Sequence, residues 1–302
     1  MTDEAEFGAR FARAGCQGWL CVADVDGAGE VSAGGDELVV AASVFKVAVA
    51  LEVFSQAVTG RLDLAERIRV PAARRTPGPT GLSVFADDAD LSIRDLAMMM
   101  LTVSDNAATD ILIDLAGLDS INATLTGLGL RSTRVTAPLR DELDSIGQDA
   151  GFAGWADLER ASAAFSEQED RRVQESFLRA RALDPRHAIR TTPREMVALL
   201  RLIWRDEAGP ATACAQVRGM MGRQVTRQRL ALGFPRNGTQ VAAKSGTLLG
   251  VIRNEVGVIT IPGGRRYAAA IFTRANRPYE NEHEINAVIG TIAARAVRYL
   301  LD

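Results

Sequence analysis

The order of elements predicts an α+β protein, with an antiparallel sheet built from both chain ends, flanked by helices, and an all-helical lobe between them. Three observations carry this: the strand patterns "GWLCVADV" and "EVSAGG" near the start, a run of helical segments in the middle, and three alternating strands followed by a long helix at the end. The first two strands turn at "DGAG", Asp26 to Gly29. A helix from Ser43 to about Val58 follows, closed by Gly60 and Asp63. "VPAARRTPGPTGLSVF" has the composition of a surface loop. Ser92 caps a helix through "IRDLAMMMLTV", with Asp95 in the capping-box position. "AATDILIDLAG" starts after Asn106 and stops at Gly117, and "SINATLTGLG" starts at Ser120. From Asp149 to Arg190 the chain is charged and helix-prone, with a mostly exposed face. Thr192 caps the helix that Pro193 opens, "TTPREMVALLRLIW". "QVAAKSGTLL", "RNEVGVITI" and "RRYAAAIFT" read as strands, and "NEHEINAVIGTIAARAVRYLL" as the closing helix. The chain reads as one domain, 1–302, with an α/β lobe from 1–60 and 190–302, a helical lobe from 61–189, and a pocket at their mouth.

Composition narrows the function. A hydrophobic fraction of 47% and a charged fraction of 24% suit an ordinary globular chain, and a net charge of −3 gives no electrostatic case for nucleic acid or an anionic membrane. No window approaches the roughly 18 apolar residues of a membrane span. The start, "MTDEAEFGARFARAG", has neither a basic n-region nor an apolar h-region, so the expectation is a cytoplasmic protein. Cys16, Cys21 and Cys214 form no C-x-x-C pair and are expected to be reduced thiols. His187 and His283 lack a ligand pattern and no G-x-S-x-G elbow is present, so neither a metal nor a histidine is expected to activate a nucleophile. No cofactor is expected, and the partner is a small-molecule substrate.

The stretch "VVAASVFKVAVALEVF" places Ser43 and Lys46 one turn apart in an apolar run. A serine hydroxyl needs a base and an oxyanion donor to act at neutral pH. Burial lowers a lysine pKa, so a neutral Lys46 can take the proton, and unsatisfied N–H groups at a helix start favour negative charge. Alone, S-x-x-K also suits an N-cap, S-D-N (Ser104, Asp105, Asn106) a capping turn, and Lys244-Ser245-Gly246-Thr247 a strand edge. Together they are the signature of class A β-lactamases and penicillin-binding proteins.

The chain resembles the class A β-lactamase family as a member without a visible export signal. "SVFKVAVALEVF" looks like its nucleophile helix, "LSIRDLAMMMLTVSDNAATDILI" like its S-D-N region, and "TTPREMVALL" like the helix after its Ω-loop. The resemblance implies that Ser43 is acylated, with the N–H groups of Ser43 and Thr247 as oxyanion hole. It also implies that Lys46 activates Ser43, Ser104 relays a proton to the leaving nitrogen, and Asn106 bonds the substrate amide. Lys244 and Ser245 would hold the substrate carboxylate, and Arg253 stands where several members keep a carboxylate-binding arginine. An alternative for Arg253 is a solvated cross-strand partner of Glu255.

Two regions depart from the family. The family's interval from Asn106 to its deacylating glutamate lands on Arg140, two residues before Glu142 in "TAPLRDELDSIGQ". Arg140-Asp141-Glu142 mimics the family's R-x-E, which makes Glu142 the candidate base ahead of Asp141 and Asp144; the alternatives are that "ELD" aligns with the family's end of loop, making Glu142 a different, non-catalytic acid, or that this is a solvated acidic loop. The stretch from about 145 to 190 has no placed counterpart and would lengthen the loop beside the pocket by several turns of helix, acting as a lid or reshaping the site, with His187 near its rim. Since fold and motif do not fix the substrate, the expectation is a β-lactam or related carboxylate-bearing amide, with an esterase, acyltransferase, biosynthetic hydrolase or acylated sensor as alternatives.

Overall fold

The computed structural model describes residues 4–234 and 237–301. At its centre is an antiparallel sheet of β1 (Cys16–Asp24), β2 (Glu30–Ala33), β7 (Gln240–Leu248), β8 (Ile252–Thr260) and β9 (Arg266–Ala275), in the order β2-β1-β9-β8-β7. β1 pairs with β9 from Cys16 opposite Ala275 to Asp24 opposite Tyr267, which joins the two chain ends as expected. β7 is left as an edge strand. Two short ribbons complete the strands: β3 (Val39–Val40) with β6 (Arg190–Thr191), and β4 (Arg67–Val70) with β5 (Ala89–Ser92).

Alternation along the strands sends neighbouring residues to opposite faces. On one face Leu20, Val22 and Ile271 pack against Phe7 and Phe11 of α1 (Glu4–Arg13) and Ile285 and Ile289 of α11 (Glu282–Leu301). On the other, Cys21, Ala23 and Val256 belong to the main core with α2 (Lys46–Val58) and α9 (Pro193–Trp204). α2 is buried almost all round, as a helix apolar on every side must be. It is packed by α3 (Ile93–Thr102), α4 (Asn106–Ala116), α5 (Leu118–Gly127) and α10 (Ala211–Met221).

The expected caps are present: Ser92 Oγ accepts the Asp95 N–H at 3.1 Å and Thr192 Oγ1 that of Glu195 at 3.1 Å. The structure also contains helices that the pattern did not suggest, α1, α6 (Leu139–Asp149) and α10. α5 begins at Leu118, ahead of Ser120, because Gly117 turns the chain at φ 85°. The loop after β4 is less superficial than its composition suggests, since Thr76 bonds Asp110 and Pro77 bonds Asn106.

The stretch from about 145 to 190 is a packed wall. Its helices α7 (Trp155–Ser162) and α8 (Glu167–Phe177) and a 3-10 turn at Arg181–Leu183 build a satellite core, with Leu158, Phe177 and Leu183 against Ala42, Leu249 and Ile252. The three cysteines are buried and free. Among the described residues no helix is long and apolar enough to cross a membrane.

Candidate active site

Ser43 does not start the helix directly. It sits in a 3-10 turn, Ala42–Phe45, that runs into α2. Ala42 has φ 45°, a region that residues with a Cβ rarely adopt, and its side chain is held in the satellite core. Ser43 is half-buried, whereas Lys46 is fully buried at the first position of α2.

Lys46 Nζ donates to the Ser104 carbonyl at 2.8 Å, to Asn106 Oδ1 at 2.9 Å and to Ser104 Oγ at 3.3 Å. Burial draws its pKa down to about 7, against the charges of Asp105, Asp110 and Glu142, which raise it. The amine is therefore poised to exchange a proton near neutrality.

The S-D-N turn brings Ser104 to that amine. Ser104 has φ 63°, and Asp105 fastens the turn as N-cap of α4, accepting the N–H groups of Ala108 at 3.0 Å and Leu82 at 2.6 Å. Gly81 permits the approach, since a Cβ there would lie 2.3 Å from Asp105 Oδ2. From the opposite side Lys244 Nζ donates to Ser104 Oγ at 2.9 Å and to the Ser245 carbonyl at 2.7 Å. Burial, with the nearby charge of Lys46, holds the Lys244 pKa well below its usual range. One hydroxyl thus stands between two buried amines. Asn106 Nδ2 donates to the Pro77 carbonyl at 2.9 Å, leaving one amide hydrogen for another partner.

β7 carries the remaining parts along its free edge. Ser245 N–H points outward to Gln224 Oε1, so the N–H of Thr247, two residues on, points to the same edge. Gly246 lies against the turn that carries Ser43: a Cβ there would be 3.1 Å from both the Ala41 carbonyl and the Ser43 nitrogen. Those neighbours are backbone and cannot move aside without displacing Ser43. Gly246→Ala is expected to destabilise the fold by about 1–3 kcal/mol and to slow acylation about tenfold or more, read by urea denaturation and stopped-flow acylation.

Glu142 stands in the first turn of α6 and lines a cavity with Ser145, Arg181 and His187. Asp110 caps the first turn of α6 by accepting the N–H groups of Leu139 at 2.7 Å and Arg140 at 2.9 Å. Glu142 and Lys46 are close enough for each charge to shift the other. Burial pushes the carboxyl up to about 7 against a backbone contact with Ile189 and the Lys46 charge, and Oε1 has no hydrogen-bond partner among the described residues. Asp141 and Asp144 are exposed, and Asp144 is occupied by the Trp155 N–H at 3.0 Å.

Arg253 stands opposite Thr247 on β8. Its partner is Glu282 at the start of α11, which corrects the alternative pairing with Glu255. Glu255 is buried beneath the strand, where it accepts from Gln224 and the Leu230 N–H. Sequence inspection missed Arg229, which is buried and donates to Thr247 Oγ1 at 2.7 Å, to the Gly246 carbonyl at 2.8 Å and to Asn286 Oδ1 at 2.8 Å. The one signal was an arginine inside the irregular polar run "GRQVTRQRL".

With this geometry in place, the comparisons with known proteins decide the family. The sequence profile of the Beta-lactamase enzyme family matches residues 4–300. The chain belongs to the beta-lactamase enzyme family. It is a serine hydrolase of the β-lactamase type. It is 29% identical to the beta-lactamase regulatory protein BlaB of Streptomyces cacaoi over 93% of this chain and 92% of that protein. Among solved structures, a beta-lactamase from Sphaerobacter thermophilus superposes with TM-score 0.77 at 24% identity, covering 98% of this chain and 97% of its own. An acyl-enzyme complex of a PBP-A mutant with penicillin G superposes with TM-score 0.75 at 21% identity, covering 99% and 96%. These two superpositions bear on the fold.

Proposed function

We propose that the protein cleaves a β-lactam, or a related carboxylate-bearing amide, through an acyl-Ser43 intermediate. The observation that carries this is the Ser104 hydroxyl held between Lys46 and Lys244, with the Lys46 pKa drawn down to about 7 so that a substantial share of the amine is uncharged at pH 7. Neutral Lys46 takes the proton of Ser43 Oγ, and the oxygen attacks the amide carbonyl. The N–H groups of Ser43 and Thr247 stabilise the oxyanion. As the C–N bond breaks, the proton passes through Ser104 to the departing nitrogen. Lys244, Ser245 and Thr247, with Arg229 behind them, form the carboxylate-binding end; Arg253 would join them only by loosening its pair with Glu282. In the second half, ionised Glu142 takes a proton from water, whose oxygen attacks the ester carbonyl; the acyl C–O bond to Ser43 breaks and the proton returns to Ser43 Oγ, restoring both groups.

The regulatory name of the Streptomyces relative favours a second reading, an acylated sensor that turns over slowly. The chemistry up to acyl-Ser43 is the same; deacylation separates the two. A carboxyl drawn up to about 7 and within reach of the Lys46 charge supports turnover. The buried free thiols suit a reducing, cytoplasmic setting.

The pH profile tests this. Acylation needs neutral Lys46 and deacylation needs ionised Glu142, and each of these forms grows as pH rises through about 7. Hydrolysis of a chromogenic β-lactam is therefore expected to climb about tenfold per pH unit below the transition, and to level above it. The two groups interact, so the transition belongs to the pair. A rate flat or falling from pH 5 to 8 contradicts the proposal.

A further inference from the structure

The segment from Gly222 to Leu230 has two differently occupied sides. Gln224 and Arg229 face the β7 strand, where they hold Ser245 N–H and Thr247 Oγ1. Arg223 and Arg227 line a separate cavity of about 650 Å³ between the end of α10 and the far end of β7. Arg218 joins them, and no acidic side chain is among the lining residues.

Much of this charge is unspent. Arg218 is partly committed, to Asp206 and the Ile203 carbonyl. Arg227 makes one hydrogen bond to the Val241 carbonyl at 3.2 Å, and Arg223 a long one of 3.5 Å to Gly219. A guanidinium has five N–H donors, so most of those on Arg223 and Arg227 point to no acceptor among the described residues. Three guanidinium groups around one cavity is a local positive field in a chain of net charge −3. Trp204 and Val258 give the cavity an apolar wall, and Thr239 and Thr260 add hydroxyls.

The geometry points to a second ligand site, for a small organic anion bearing two or more phosphate or carboxylate groups. The anionic groups pair with Arg223 and Arg227, the planar forks matching oxyanions, and Arg218 supports them. The body of the ligand lies against Trp204 and Val258. Occupancy is transmitted along the chain, because the same nine-residue segment, 222–230, carries the two arginines and the two side chains that position the carboxylate-binding strand. This coupling rests on the proposed substrate site; binding itself does not. Linkage is reciprocal, so the anion shifts substrate affinity and the substrate shifts that of the anion.

Isothermal titration of the Ser43→Ala protein with pyrophosphate, citrate and ATP tests binding without any catalysis. At least one probe is expected to bind in a salt-dependent way, with Kd raised about tenfold or more in an Arg223→Ala/Arg227→Ala background. Arg223→Gln/Arg227→Gln, which removes charge but keeps polar amides, is expected to give the same loss. Which probe binds separates phosphate from carboxylate chemistry. No binding below about 10 mM, a weak-contact limit, or equal binding by the arginine variants, overturns the site. In the wild type, saturation with the bound probe is expected to shift KM for a β-lactam at least about twofold, and to leave KM unchanged in the arginine variants. An unchanged wild-type KM at saturation overturns the coupling.

Discussion

Glu142→Gln is expected to acylate and then stall. The amide cannot take a proton from water, so release of acyl-Ser43 should fall about 10²–10⁴-fold, while acylation, which uses Lys46, continues. A second effect has a definite sign. The Glu142 charge raises the Lys46 pKa. Removing it lowers that pKa further, so the acid limb of acylation should move to lower pH in the variant. Stability should respond as well. The Glu142 carboxyl is raised from 4.5 to about 7, so the folded chain holds this proton more tightly than the unfolded one. Its contribution is full below 4.5 and is lost as pH rises from there through about 7. Glu142→Gln should therefore be more stable than the wild type at pH 8 by comparison with pH 4. Single-turnover kinetics and denaturation at both pH values read these effects. Wild-type release with the substitution in place would remove Glu142 from the chemistry.

Lys46→Met is expected to strike the earlier step. The side chain keeps its volume but loses the amine proposed to accept the Ser43 proton, and acylation should fall about 10³-fold or more. Ser104 would lose one of its two amines while keeping the Lys244 contact at 2.9 Å. Its own replacement, Ser104→Ala, should then add little to Lys46→Met, because residues acting in one proton path are not additive. Independent, multiplying losses in the double variant would separate Ser104 from the path.

The tripeptides made most of the centre legible before any coordinates. Ser43, Lys46, Ser104 and Lys244 each occupy a short motif whose local context, a turn into a helix or a strand edge, is itself readable from capping residues and alternation. The parts that escaped depend on contacts far apart in sequence. Arg229 is recognisable only once Thr247 and Asn286 lie beside it. Glu282, not the nearby Glu255, faces Arg253, because α11 begins near the start of β8. Glu142 could be named from R-x-E, but its approach to Lys46 depends on the Asp110 cap that starts α6 at Leu139. The stretch from about 145 to 190 read as an exposed charged face; its sparse apolar residues, Leu158, Phe177 and Leu183, form a core only with Ala42 and the β7–β8 turn. The left-handed backbone at Ala42 and Ser104 is likewise set by tertiary packing, against the ordinary preference of both residue types.

The central claim is a covalent acyl-Ser43, and intact-protein mass spectrometry reads it directly. Wild type and Ser43→Ala are mixed with a chromogenic β-lactam and sampled while its hydrolysis is followed. The expected result is a transient adduct of the substrate's mass on the wild type, hydrolysis in step with it, and neither in Ser43→Ala. Hydrolysis undiminished in Ser43→Ala, or an adduct still formed without the Ser43 hydroxyl, would contradict it.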